Sequence, residues 1–243
     1  MDLRSTLTNS RLRLGGAVAT VLLAGVLAVA FGVPVESILT VGFVERSLQA
    51  AAPIALAAVG GLYAEKSGVF NIGLEGFMIF GAANTAATIW LVGGSSPTQG
   101  HLWLALLAAA GASLIYATLF AVLLIRYKAN QIVAGLAFWF IGLGFGPYTA
   151  VLLWGNRNSP GLTSMNDYTI PVLSELPVLG PILFDTSPLV LLTLLIAVAA
   201  WLFLYRTKYG YWLQAAGENP EALDTAGVDV NRIRYAAVIF SGV

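Results

Sequence analysis

Two groups of residues in this chain are placed to do chemistry. The first is Asn71 and Glu75 within N-I-G-L-E-G (71–76), with Asn84 and Gln131 further on. Glu75 is the one clearly intramembrane charge, and a carboxylate in an apolar segment is expensive unless it meets a partner or water. Two readings stand. In one, Glu75 lines a path for a polar solute, with Asn71, Asn84 and Gln131 supplying amides. In the other, it is a hydrogen-bonding residue that fixes a helix break near Gly73 and Gly76. A single acid of this kind is too little to run a gradient-driven carrier, which keeps several ionisable or polar ligands at mid-membrane.

The second group is Glu218, Asn219, Pro220, Glu221, Ala222, Leu223 and Gly227, inside a polar island from Tyr205 to Tyr235. Asn219 suits an N-cap and Pro220 the first helical position, while Glu221 and Asp224 place negative charge in the first turns. Gly227 supplies a left-handed stop. The pattern predicts a helix over Pro220–Ala226. One so short does not hold itself together in water, so it must lean on something, and Leu223 with Ala222 and Ala226 is the apolar face available. We read that face as docking on a cytoplasmic partner and passing movement into the membrane. The plainer alternative is a solvated loop whose basic residues only set topology.

Other chemistries find little support. His101 stands alone with no second ligand nearby in sequence, and the absence of cysteine removes disulfides and thiolate metal sites. No Ser/His/Asp set or paired carboxylates share one span, which argues against an enzyme. A phosphate loop needs G-x-x-x-x-G-K-[ST]; the nearest approach, GLYAEKS (61–67), has Glu65 where the second glycine belongs. ATP is therefore not bound by this chain, and no cofactor or metal is expected. Gly142, Gly144 and Gly146 lie inside an apolar span and read as helix packing. Asn130 and Gln131 open the span that follows them, and either cap that helix or touch the solute.

The elements that carry these residues are membrane spans. Charged residues are 10% of the chain, hydrophobic ones 58%, and the mean hydropathy is +0.82; a soluble domain carries about 25% charge. The net charge of zero argues against a nucleic-acid partner. Helical spans of about 20 residues are expected at about 14–32, 47–64, 69–92, 101–125, 129–154 and 188–205. A seventh apolar segment opens at Tyr235, and 235–243 is too short to cross. The expected fold is all-α: a polytopic bundle of six complete spans plus the start of a seventh, one domain over 1–243, incomplete at its C-terminus. With the N-terminus in the cytoplasm, all of the 12 basic residues except Arg46 and Arg157 fall inside. The positive-inside rule favours that orientation. The island is then cytoplasmic, and the Pro-rich 155–187 stretch lies opposite. Trp90, Trp103, Trp154, Trp201 and Trp212 fall near span ends as interfacial anchors in membrane lipid.

Three segments also carry a resemblance. GENPEALDTAGVDVNRIR (217–234) resembles the cytoplasmic signature of ABC-type permeases for simple sugars, nucleosides and branched-chain amino acids. EKSGVFNIGLEGFMIFGA (65–82) and ANQIVAGLAFWFIGLGF (129–145) resemble that family's other two common segments. The likeness is greatest to nucleoside/simple-sugar permease subunits that work as a pair of related chains. It implies a permease subunit of an importer in the plasma (inner) membrane. Two permeases would sit on cytoplasmic ATPase subunits, with an external substrate-binding protein supplying the solute. The family's coupling helix falls on Glu218, Asn219, Pro220, Glu221, Ala222 and Gly227. Relatives continue past Ser241-Gly242 through further spans. A rival class is a gradient-driven secondary transporter or channel for a small polar solute; a non-transporting assembly subunit is a further one.

Overall fold

A computed structural model describes residues 40–94, 96–176 and 180–243; the span expected at 14–32 lies outside them. Five of its helices are long and apolar enough to cross a membrane. They are α1 (Val41–Lys66), α2 (Leu74–Gly93), α3 (Gln99–Ala121, prolonged by a π turn over Val122–Arg126), α4 (Gln131–Trp154) and α5 (Pro188–Arg206). Three shorter helices follow: α6 (Lys208–Glu218), α7 (Pro220–Thr225) and α8 (Val230–Gly242).

Several boundaries differ from expectation, each for a local reason. α1 begins at Val41 rather than Ser47, because the Thr40 hydroxyl caps it and Glu45 is absorbed by accepting from Gln49 Nε2 one turn on. α2 begins at Leu74 rather than Val69. Ser67 ends α1, Gly68 takes φ +84°, and residues 69–73 run as a non-helical link. The island is not one short helix in a loop but three helices, and α8 starts at Val230 rather than Tyr235 because Asp229 caps it there. Within the 155–187 connection, β1 (Tyr168–Thr169) pairs antiparallel with β2 (Asp185–Thr186), joining Tyr168 to Thr186.

Packing follows membrane logic, in which lipid tails offer no hydrophobic drive and close van der Waals contact must hold helices together. α2 crosses α4 on glycines: a Cβ on Gly142 would sit 2.8 Å from Gly76 Cα, and one on Gly135 would sit 3.1 Å from Gly73 N. Gly146 is similarly close to Ile79, whereas Gly144 faces open space. The packing role thus holds for Gly142 and Gly146 but not Gly144. Phe77, Phe120 and Phe138 form an aromatic knot beside this crossing, with centroids 4.9–5.6 Å apart. Val238 of α8 is fully buried in the same cluster. A second cluster joins Tyr63, Leu204, Leu213 and Ala237 from α1, α5, α6 and α8, and the Tyr63 hydroxyl donates to Ala200 O at 2.7 Å.

Candidate functional site

The three polar connections 67–73, 127–130 and 207–229 meet at one end of the bundle. Arg234 ties two of them: its Nε donates to Ser67 O at 3.1 Å and its guanidinium also donates to Ala216 O at 2.9 Å. The third is tied by Gln131, whose Oε1 accepts from Phe70 N at 2.8 Å. Gln49 and Thr186, and the edge-on pair Trp90 and Trp154, lie at the other end. Of the described basic residues, Arg46 and Arg157 belong to that opposite end.

The short helix is built as its residues require. Asn219 Oδ1 accepts from Ala222 N at 3.1 Å, Pro220 occupies the first turn, and Gly227 takes φ +81° with its N–H bonded to Asp224 O. Glu218, Asn219, Glu221, Ala222 and Gly227 are exposed, and Pro220 is half-buried. Leu223 is the correction. It is 5% exposed and turned into its own chain, so it anchors α7 from within, and the surface left for a partner is polar apart from alanines. α6 adds a second device. Gln214 Nε2 donates to Leu204 O at 2.9 Å, and Gly210 presses on the Phe203 and Leu204 carbonyls where no Cβ would fit. α6, which leads into α7, is thus joined to α5 through Gln214 and Gly210, and Arg234 of α8 joins it to the end of α1.

The four amide and acid candidates do not come together as one cluster. Asn71 is buried, its Nδ2 donating to Ser241 Oγ at 2.8 Å and its Oδ1 accepting from Gly73 N at 3.0 Å. Gln131 holds Phe70, and Asn84 returns to Phe80 O in its own helix at 2.7 Å. Glu75 is exposed on the first turn of α2, with no ion-pair partner among the described residues. Asn130 Oδ1 caps α4 by accepting from Ile132 N and Val133 N. His101 Nδ1 accepts from Thr98 N, a local turn contact. An apolar cavity of about 370 Å³ opens between α1, α2 and the tip of α8, lined by Pro53, Leu56, Gly60, Met78, Ser113 and Ser241 among others.

Arg234, Gln214 and Tyr63 were not singled out as site residues from sequence. Arg234 carries a weak signal there: it is the last basic residue before an apolar run.

Residues 43–243 match the family described as branched-chain amino acid transport system / permease component. The chain belongs to that permease family. Over 202 residues it is 37% identical to the guanosine ABC transporter permease protein NupQ of Bacillus subtilis (strain 168), covering 82% of this chain and 63% of that protein. It is 31% identical over 196 residues to the nucleoside ABC transporter permease protein NupC of Lactococcus lactis subsp. cremoris, covering 79% and 60%. It is 33% identical over 207 residues to the putative glucose ABC transporter permease protein TsgC13 of Haloferax volcanii, covering 83% and 59%. The chain thus spans roughly three-fifths of the length of these relatives. No solved structure matches it. Members of this family are permease components of transport systems, and that membership together with five helices long and apolar enough to cross a membrane supports an integral protein of the plasma membrane.

Proposed function

We propose that the permease forms the translocation path of an ATP-binding-cassette importer for a nucleoside or simple sugar, moved by a separate cytoplasmic ATPase. The observation that carries this reading is α7. It is a capped helix whose polar face is exposed and whose one buried side chain, Leu223, anchors it within its own chain, where it packs on α6 and α8. Such an element transmits force and has no catalytic group of its own. Glu218, Asn219, Pro220, Glu221, Ala222 and Gly227 form the face toward the ATPase, and Leu223 forms the inner anchor. ATPase closure shifts α7, and the bundle switches between outward and inward openings. This is a two-state change powered by differential binding to the two states. The N-terminus and the α6–α7 end lie in the cytoplasm, in accord with the basic residues gathered there.

A second permease subunit completes the path, and an external binding protein delivers the solute at the opposite end. Within the path, Glu75 is the group free to meet a polar solute. Asn71 and Gln131 hold the 67–73 link that shapes it, and Asn84 lies two to three turns deeper on α2. The relatives named for guanosine, nucleoside and glucose support the substrate class.

The deciding experiment is uptake of labelled guanosine and of labelled glucose by cells expressing the full importer, with membrane gradients collapsed and ATP retained. Continued uptake of either solute is expected. Uptake that stops with the gradients, while ATP persists, would make the protein a secondary carrier.

A further inference from the structure

We infer that the elbow between α5 and α6 is a binding site for the phosphate headgroup of an anionic phospholipid in the leaflet on the α7 side. The elbow is the sequence W-L-F-L-Y-R-T-K-Y-G-Y-W (201–212). Arg206 ends α5 and Lys208 begins α6, with Thr207 between them capping α6 by accepting from Gly210 N. Both cations are exposed, and neither has a carboxylate within salt-bridge distance among the described residues, where the one ion pair is Arg232 with Asp229. Instead they lie over aromatic rings. The Arg206 guanidinium is 5.7 Å from the Trp201 centroid, and Lys208 Nζ is 5.1 Å and 5.6 Å from those of Tyr209 and Trp212.

Three features point to a lipid phosphate rather than to water alone. Lys208 stands at the first position of a helix, where the macrodipole is already positive; a cation there is opposed by the helix unless an anion joins it. Thr207 takes the Gly210 N–H of that same helix end, and the Lys208 and Tyr209 N–H groups ahead of it are donors an anion can use. Finally, Trp201, Tyr205, Tyr209 and Tyr211 are 41–59% exposed around the two charges. Amphipathic rings of that kind sit at headgroup depth, and basic residues beside them attract anionic lipid. The Gly210 contact and the Gln214–Leu204 bond make the elbow rigid, so the lipid would meet a formed site. Since α6 leads straight into α7, an occupied elbow also braces the coupling helix.

The test uses the full-length permease in nanodiscs of phosphatidylcholine carrying increasing phosphatidylglycerol. Native mass spectrometry reads which lipids remain bound. Wild type is expected to retain phosphatidylglycerol preferentially, and the Arg206→Gln/Lys208→Gln pair to lose that preference about tenfold or more, the scale of two cations at an anionic surface. Arg206→Lys/Lys208→Arg keeps the charges and should keep the preference, which separates charge loss from misfolding. Arg232→Gln, a charge at the same end, should leave it unchanged. Unaltered preference in the Gln pair overturns the site, and so does an equal loss in Arg232→Gln, which would mean a diffuse basic surface. Inorganic phosphate should not displace the lipid; displacement by phosphate alone would make this a soluble-anion site. None of these readouts depends on what the permease transports.

Discussion

Asn71 and Glu75 look alike in sequence, as polar residues one turn apart in an apolar setting, yet their surroundings separate them. The Asn71 side chain is buried, and it satisfies the Gly73 N–H, which has no helical partner where α2 begins. Asn71→Leu would orphan that donor and break the bond to Ser241, a loss of about 1–3 kcal/mol, read as a lower unfolding midpoint together with weaker uptake. Glu75 is exposed and holds no other side chain in place, so Glu75→Gln should change stability by no more than about 0.5 kcal/mol. If Glu75 meets the solute, that variant loses uptake several-fold with its folding intact; full uptake removes it from the path. Only the three-dimensional pairing distinguishes the two residues. Ser241, the partner of Asn71, lies 170 residues away, a separation that no local pattern reports.

At the scale of elements, α7 was legible because its ends are written in residue types with fixed physical meaning: an amide cap, a proline and a left-handed glycine. α6 was not. The island's pattern pointed to one helix alone, whereas Gly210 and Gly217 are points of close backbone approach within or beside a second, Gly210 to α5 and Gly217 to Lys66 O. The direction of Leu223 was equally invisible, since an apolar residue on a short helix serves an inner anchor or an outer contact with the same letter. The anchor makes a sharp prediction. Leu223→Asp buries a charge and should abolish coupled uptake, while Glu221→Ala changes the outer face alone and should weaken ATPase co-purification with no change in unfolding midpoint. Asn219→Ala removes the cap and should cost about 1 kcal/mol, a partial loss of uptake. The glycines of α4 offer a paired control. Gly142→Ala forces a Cβ against the Gly76 backbone, which cannot yield without parting α2 from α4, at a cost of about 1–3 kcal/mol. Gly144→Ala meets nothing within 4 Å and should be neutral or mildly stabilising.

For the whole molecule, everything mechanical depends on which side of the membrane holds α7. Hydropathy alone located the five described helices long enough to cross a membrane to within a few residues at most of their ends, the starts of α1 and α2 excepted, because twenty apolar positions have few other uses. Sidedness was argued from charge, and the fold adds an independent constraint. Arg234 and Gln131 draw 67–73, 127–130 and 207–229 to a single end, so these connections must share a compartment. The 155–187 connection joins α1 at the other end through Thr186, so it must face the opposite compartment. The sequence contains no cysteine, which makes this directly measurable with single replacements and no background. Glu221→Cys on α7 and Asn158→Cys beyond α4 are both exposed. A membrane-impermeant maleimide added to intact cells should label Asn158→Cys fully and Glu221→Cys only after the membrane is opened. Labelling of Glu221→Cys in sealed cells would place the helix beyond reach of any cytosolic ATPase. The bundle would then have to be moved from the outside or by the solute gradient itself, and the two ends would exchange roles without any change in the packing described.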